Sequence, residues 1–129
     1  MTKCLCLSSL LLLLPACSNE LKGEVTVDDH AFELSSCRSG EVYGFVGVEL
    51  VSKEGAKLRF AQTPTGEAVA FYLASGDSTG VELGTCGSFQ VSQQNSTNND
   101  VKNVEGKGDV DCTGAGHTLK GSFSFSNCH

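Results

Sequence analysis

The stretch VKNVEGKGDVDC (Val101–Cys112), TGAG (Thr113–Gly116) and HTLKGSFSFS (His117–Ser126) decides the fold. Two runs of interleaved polar and apolar residues flank four small turn-forming residues, which reads as a β-hairpin. Asp109 and Asp111 share one face of the first run, opposite Val110, so the solvent side of a strand accounts for them. The hairpin also limits which cysteines can join. Cys112 lies at its turn end and Cys128 at its open end. Roughly ten strand residues separate them, on the order of 30 Å at about 3.3 Å per residue, far beyond the Cα spacing of a disulfide. The strand before the hairpin, antiparallel to 101–112, brings Cys86 toward Asp109–Cys112. The expected pairs are therefore Cys86–Cys112 and Cys37–Cys128, the second tying the start of the domain to its end.

Working outward, the same pattern of short alternating runs and turn residues recurs. Lys22–Val27 is expected as a strand, Asp28-Asp29 as a turn, and His30–Leu34 as the returning strand, ending near Cys37. Glu41–Ser52 reads as a long strand broken by Gly44 and Gly47, where glycine marks a bulge or a close backbone approach. Lys57–Ala61 and Ala68–Leu73 follow as strands around the turn Thr63-Pro64-Thr65-Gly66. Ala74–Thr85 reads as a loop, Gly87–Gln94 as a strand and Asn95–Asp100 as a polar connection. Outside the leader, no stretch of a dozen residues shows the apolar period of a helix. The expectation is an all-β domain, a small antiparallel β-sandwich or barrel of about eight strands with two disulfides. A zinc site is the other use of four cysteines, but no close CxxC or HxxxH pair is present.

The N-terminal residues form a leader. Lys3 supplies one positive charge and Cys4–Leu14 is an 11-residue leucine-dominated run, too short for the roughly 20 residues of a membrane span but right for a secretory signal peptide. It ends in Leu14-Pro15-Ala16-Cys17, which resembles the lipobox of bacterial lipoproteins. The resemblance implies diacylglycerol transfer to the Cys17 thiol and cleavage after Ala16. Residues 1–16 are then a cleaved signal peptide, 17–22 a lipidated cysteine with a short tether, and 23–129 the β domain. Several acyl chains on Cys17 make attachment to the membrane permanent in practice. Ser18 resembles the residue following the cysteine in outer-membrane-sorted lipoproteins of two-membrane bacteria, so a lipid-anchored envelope location follows. Removing Lys3 from nine basic residues leaves eight against 15 acidic ones, a net charge of −7, which opposes binding to nucleic acid.

Chemistry is sparse. Gly76-Asp77-Ser78-Thr79-Gly80 matches G-x-S-x-G, with Asp109 or Asp111 and His117 following, but that motif works on a strand-to-helix turn that Val81–Gly84 cannot supply. His30, His117 and His129 lie far apart in sequence, and no cofactor or metal is implied. Ser39-Gly40-Glu41-Val42-Tyr43 and the strands after it resemble the SGxxY region of periplasmic C-type lysozyme inhibitors. That resemblance implies Ser39 and Tyr43 at an inhibitory contact with a cell-wall-degrading enzyme. The expected function is a non-enzymatic binding or structural module with a protein or glycan partner in the envelope. The alternatives are such an inhibitor, or a carrier of a small apolar ligand between its sheets.

Overall fold

The computed structural model describes residues 19–129; the lipobox and Cys17 lie outside them. The domain is one antiparallel sheet of nine strands, curled on itself, in place of two facing sheets. The strands are β1 (Glu20–Val27), β2 (His30–Ala31), β3 (Leu34–Ser39), β4 (Gly47–Ser52), β5 (Lys57–Gln62), β6 (Glu67–Leu73), β7 (Val81–Asn98), β8 (Val101–Gly114) and β9 (His117–Cys128). Their order across the sheet is β2-β1-β9-β8-β7-β6-β5-β4-β3. The first strand, inserted beside the last, comes round to face β3.

That seam is held by individual groups and not by a continuous ladder. Asn19 Nδ2 donates to the Asn127 carbonyl at 2.7 Å, and Asn19 Oδ1 accepts from the Cys37 N–H at 3.4 Å. Beside the seam, the Phe32 N–H extends the β1–β2 hairpin by donating to the Val25 carbonyl. Cys37 and Cys128 then join β3 to β9 by a disulfide, and Cys86–Cys112 joins β7 to β8. Both are the pairs that the hairpin geometry selects. The stretch 20–22, expected as tether, is instead the start of β1, because Glu20, Leu21 and Lys22 pair with Ser126, Phe125 and Ser124.

Three hairpins close in two-residue turns with positive φ at both positions: Asp28-Asp29, Asn99-Asp100 and Ala115-Gly116. This is the turn whose twist matches that of paired strands, and Asn, Asp and Gly tolerate it best. Because the 99–100 turn needs only two residues, the expected connection Asn95–Asp100 is mostly strand. β7 likewise starts at Val81, inside the expected 74–85 loop.

The sharpest correction falls on Glu41–Ser52. Gly40–Tyr43 forms a 3-10 turn, η1, and the strand begins only at Gly47. Ser39 Oγ accepts from the Glu41 N–H and caps the turn. Gly44, at φ 84°, ends it in the left-handed conformation that glycine adopts without strain. The Phe45 ring then folds back against Gly40 and Gly47, and a Cβ on either would lie under 3 Å from it.

Inside the curl, rows of residues alternate between glycine and bulk. One row runs Phe89, Gly108, Phe123, Gly23 across β7, β8, β9 and β1, and the next runs Gly87, Val110, Gly121, Val25. A Cβ on Gly108 would come within 2.4 Å of the Phe123 ring. Phe60, Phe89, Phe123 and Phe125 pack with centroids 4.9–6.4 Å apart, and Val48, Leu50, Leu58 and Leu119 complete the buried core. Aromatic rings occupy the interior of the curl.

Candidate functional site

The outer faces of the sheet differ in chemistry. Over β7, β8, β9 and β1 a broad hollow of about 570 Å³ is lined by Lys22, Ser88, Gln90, Lys107, Asp109 and Ser122. It is open, and Gly23, Gly108 and Phe123 line it beside the polar side chains. Over β4–β6 the outward residues include Ala61, Phe71 and Leu73, which share a pocket with Phe45, and Gly80 of the β6–β7 loop lies against Leu73. These residues and Arg59 line a mostly apolar pocket of about 290 Å³.

Arg59 is fixed at the edge of that pocket from two sides. Its Nε donates to Glu49 Oε2 at 2.7 Å, and the Tyr43 ring lies over its guanidinium at 4.6 Å. Arg38 Nη1 in turn donates to the Tyr43 hydroxyl at 3.2 Å. The register explains the assembly. Arg38, Glu49, Arg59 and Phe71 form one outward row across β3, β4, β5 and β6, and η1 lowers Tyr43 onto it. Glu49 faces outward yet is 0% exposed. Its Oε1 is buried and has no hydrogen-bond partner among the described residues. An incompletely bonded buried carboxylate is costly and calls for an explanation. Beside the cluster, η1 and its loop leave Val42 51% and Val46 71% exposed.

The two residues singled out by the inhibitor resemblance part company here. Tyr43 is at the surface, as part of the Arg59 cluster. Ser39 is fully buried and its hydroxyl caps η1, so it is not free to touch a partner. This corrects the expectation for Ser39.

A second cluster lies at the opposite end, where the turns of β1–β2 and β8–β9 meet. Asp28 Oδ2 is 2.7 Å from His117 Nδ1, and Asp28 Oδ1 accepts from the Thr118 N–H at 2.8 Å. The hydrogen bond to His117, and then that from Thr118, hold the Asp28 carboxyl below its ordinary value of 3.8. The Tyr72 ring meets the His117 ring edge-on at 4.9 Å. Burial, then the negative charges of Asp28, Asp77 and Glu54, push the Tyr72 hydroxyl above its ordinary value of 10.0. The sequence placed Asp28 and His117 in separate turns, 89 residues apart, with no signal of their meeting. His117 is thus engaged by Asp28. Asp109, one of the two candidate acids with Asp111, accepts from Ser122 at 3.1 Å, and Ser78 stands in the exposed 74–80 loop. The G-x-S-x-G residues therefore assemble no triad. Among the described residues, no three His, Cys, Asp or Glu side chains converge to hold a metal.

No family model, no curated protein and no solved structure matches this chain.

Proposed function

We propose that the protein is a lipid-anchored, non-enzymatic binding module of the bacterial envelope that meets its partner through the outer face of β3–β6. The observation that carries this reading is the Arg59 pocket with its apolar rim. An arginine held against a buried carboxylate opens on Phe45, Phe71 and Leu73, beside the exposed Val42 and Val46. Aromatic residues and arginine are the types enriched where proteins bind one another. The chain carries a net charge of −6, which favours solubility over association. The lipobox resemblance supplies the anchor. Cys17 lies two residues before Asn19, at most about 7 Å of chain, and Asn19 is pinned at the η1 end of the curl. Such a tether sets that end toward the bilayer.

Two measurements test the reading. Palmitate labelling of the chain is expected, and should vanish in Cys17→Ser. A photo-crosslinker at Val46 should capture an envelope component in living cells, whereas one at Ser124, on the polar face, should not. Labelling that survives Cys17→Ser refutes the anchor. Equal capture at the two positions, or none at Val46, refutes the binding face.

A further inference from the structure

Glu49 is the feature that the fold alone leaves unexplained. A β4 residue on the outer face, flanked by Val48 and Leu50 pointing inward, could be apolar like its neighbour Phe71 in the same row. Instead it is a carboxylate with no exposure and one oxygen unbonded. What it does is orient Arg59. With Nε on Glu49 and one face under Tyr43, the guanidinium is held in one orientation. Its two terminal nitrogens make no hydrogen bond among the described residues, and Arg59 borders the pocket. A planar, pre-oriented guanidinium with its terminal N–H groups unused is suited to bidentate contact with a carboxylate.

The pocket behind it limits the rest of the ligand. At about 290 Å³ it stands at the small end of the roughly 300–1,000 Å³ range of ligand pockets, enough for one residue-sized group and too small for a long acyl chain. Its walls are the rings of Phe45 and Phe71, with Leu73 and Ala61. We infer that this site binds the C-terminal residue of a polypeptide, an apolar side chain entering between Phe45 and Phe71 while its terminal carboxylate lies on Arg59. Glu49 and Tyr43 are positioning residues, acting through Arg59. This ligand class rests on the binding-face reading above and narrows it.

The test uses the purified full-length chain, isotope-labelled for NMR, titrated with N-acetyl-L-phenylalanine, with its uncharged amide, and with octanoate. The acid should shift the amide signals of Arg59, Ala61, Phe71 and Leu73, and bind at least about tenfold tighter than the amide, the order expected for one charge-assisted pair. Arg59→Gln should bring acid and amide to the same affinity. Arg59→Lys, which keeps the charge without the fork, should leave a reduced preference and guards against misfolding of the first variant. Ala61→Leu should fill the pocket and weaken acid and amide alike. Equal affinity of acid and amide for the unaltered chain, or signal shifts confined to β7–β9, overturns the inference. Octanoate binding tighter than the acid overturns the polypeptide source in favour of a lipid. Probe binding without a Val46 crosslink in cells refutes the partner-binding face proposed above and leaves the ligand class of the pocket standing. A crosslink without probe binding refutes the ligand class alone.

Discussion

The polar and apolar halves of this sheet are built from the same kind of strand and differ in what lies on the outside. Over β7–β9 the outward positions are Ser88, Gln90, Lys107, Asp109, Ser122 and Ser124, and the inward ones alternate glycine with Phe and Val. Over β4–β6 the inward positions are Val48, Leu50, Leu58, Phe60, Ala68 and Ala70, and the outward ones include Val51, Ala61, Val69, Phe71 and Leu73, with the Glu49–Arg59 pair and the charged Lys57 among them. A sheet with one wet face needs nothing more. One with two apolar faces needs cover, which η1, Phe45 and the 74–80 loop supply in part. The uncovered remainder is the Arg59 pocket. A strand pair apolar on both sides, at the surface of a small domain, therefore marks where to look for a partner.

The largest expected effect bears on what the halves share. Replacing Cys37 and Cys128 together with alanine frees a loop spanning 91 residues, which the chain-entropy account values at about 4–5 kcal/mol. Urea unfolding should show that loss, and a loss under 1 kcal/mol would mean that Asn19 and the β1 ladder close the curl unaided. Next comes the polar half's interior. Gly108→Ala puts a methyl group against the Phe123 ring and should cost about 1–3 kcal/mol; an unchanged urea midpoint would refute the tight packing of glycine against ring in this row.

The apolar half should respond with the opposite sign. Replacing Glu49 with leucine and Arg59 with methionine together exchanges a half-buried ion pair for apolar groups, and should leave stability unchanged or raise it by on the order of 1 kcal/mol. A clear loss would show that the pair is there for stability, weakening the argument that it serves a ligand. On the polar outside, Ser122→Ala removes only an exposed bond to Asp109 and should move stability by less than about 0.5 kcal/mol.

The smallest expected effect is local, at the end far from η1. Asp28 is held below 3.8 by His117 and Thr118, so its tie is present above that value and is lost as pH falls through the lowered one. Hydrogen exchange at the Thr118 amide should quicken in that range, and Asp28→Asn should remove the step. Exchange that does not change below pH 3.8 would refute the tie.

The polar half was legible because its alternation is clean. Ser122, Phe123, Ser124, Phe125 and Ser126 announce a strand with one wet face, and the length of the 101–126 hairpin excludes a Cys112–Cys128 bridge on distance alone. The apolar half was not. Val42, Tyr43, Phe45 and Val46 are residue types that favour strands, so the sequence reads η1 and its loop as strand. Asn95–Asn98 looked like a connection because polar composition resembles a loop, although a paired strand can be polar on both sides once it runs past the core. The candidate site was half legible. Tyr43 was singled out by its motif, but Arg59 and Glu49 gave no signal, since a charge pair spaced 10 apart has no local period.

By itself the sequence determined the all-β class, the turns at Asp28-Asp29 and Gly116, and, through strand length, the disulfide partners. These follow from local conformational preference and from distances measured along one hairpin. Only the tertiary structure decided that the sheet curls until β3 meets β1, that Ser39 is buried, that Asp28 meets His117, and that Tyr43, Arg59 and Glu49 stack. Each of those depends on cross-strand register summed over several strands, which a linear pattern does not record.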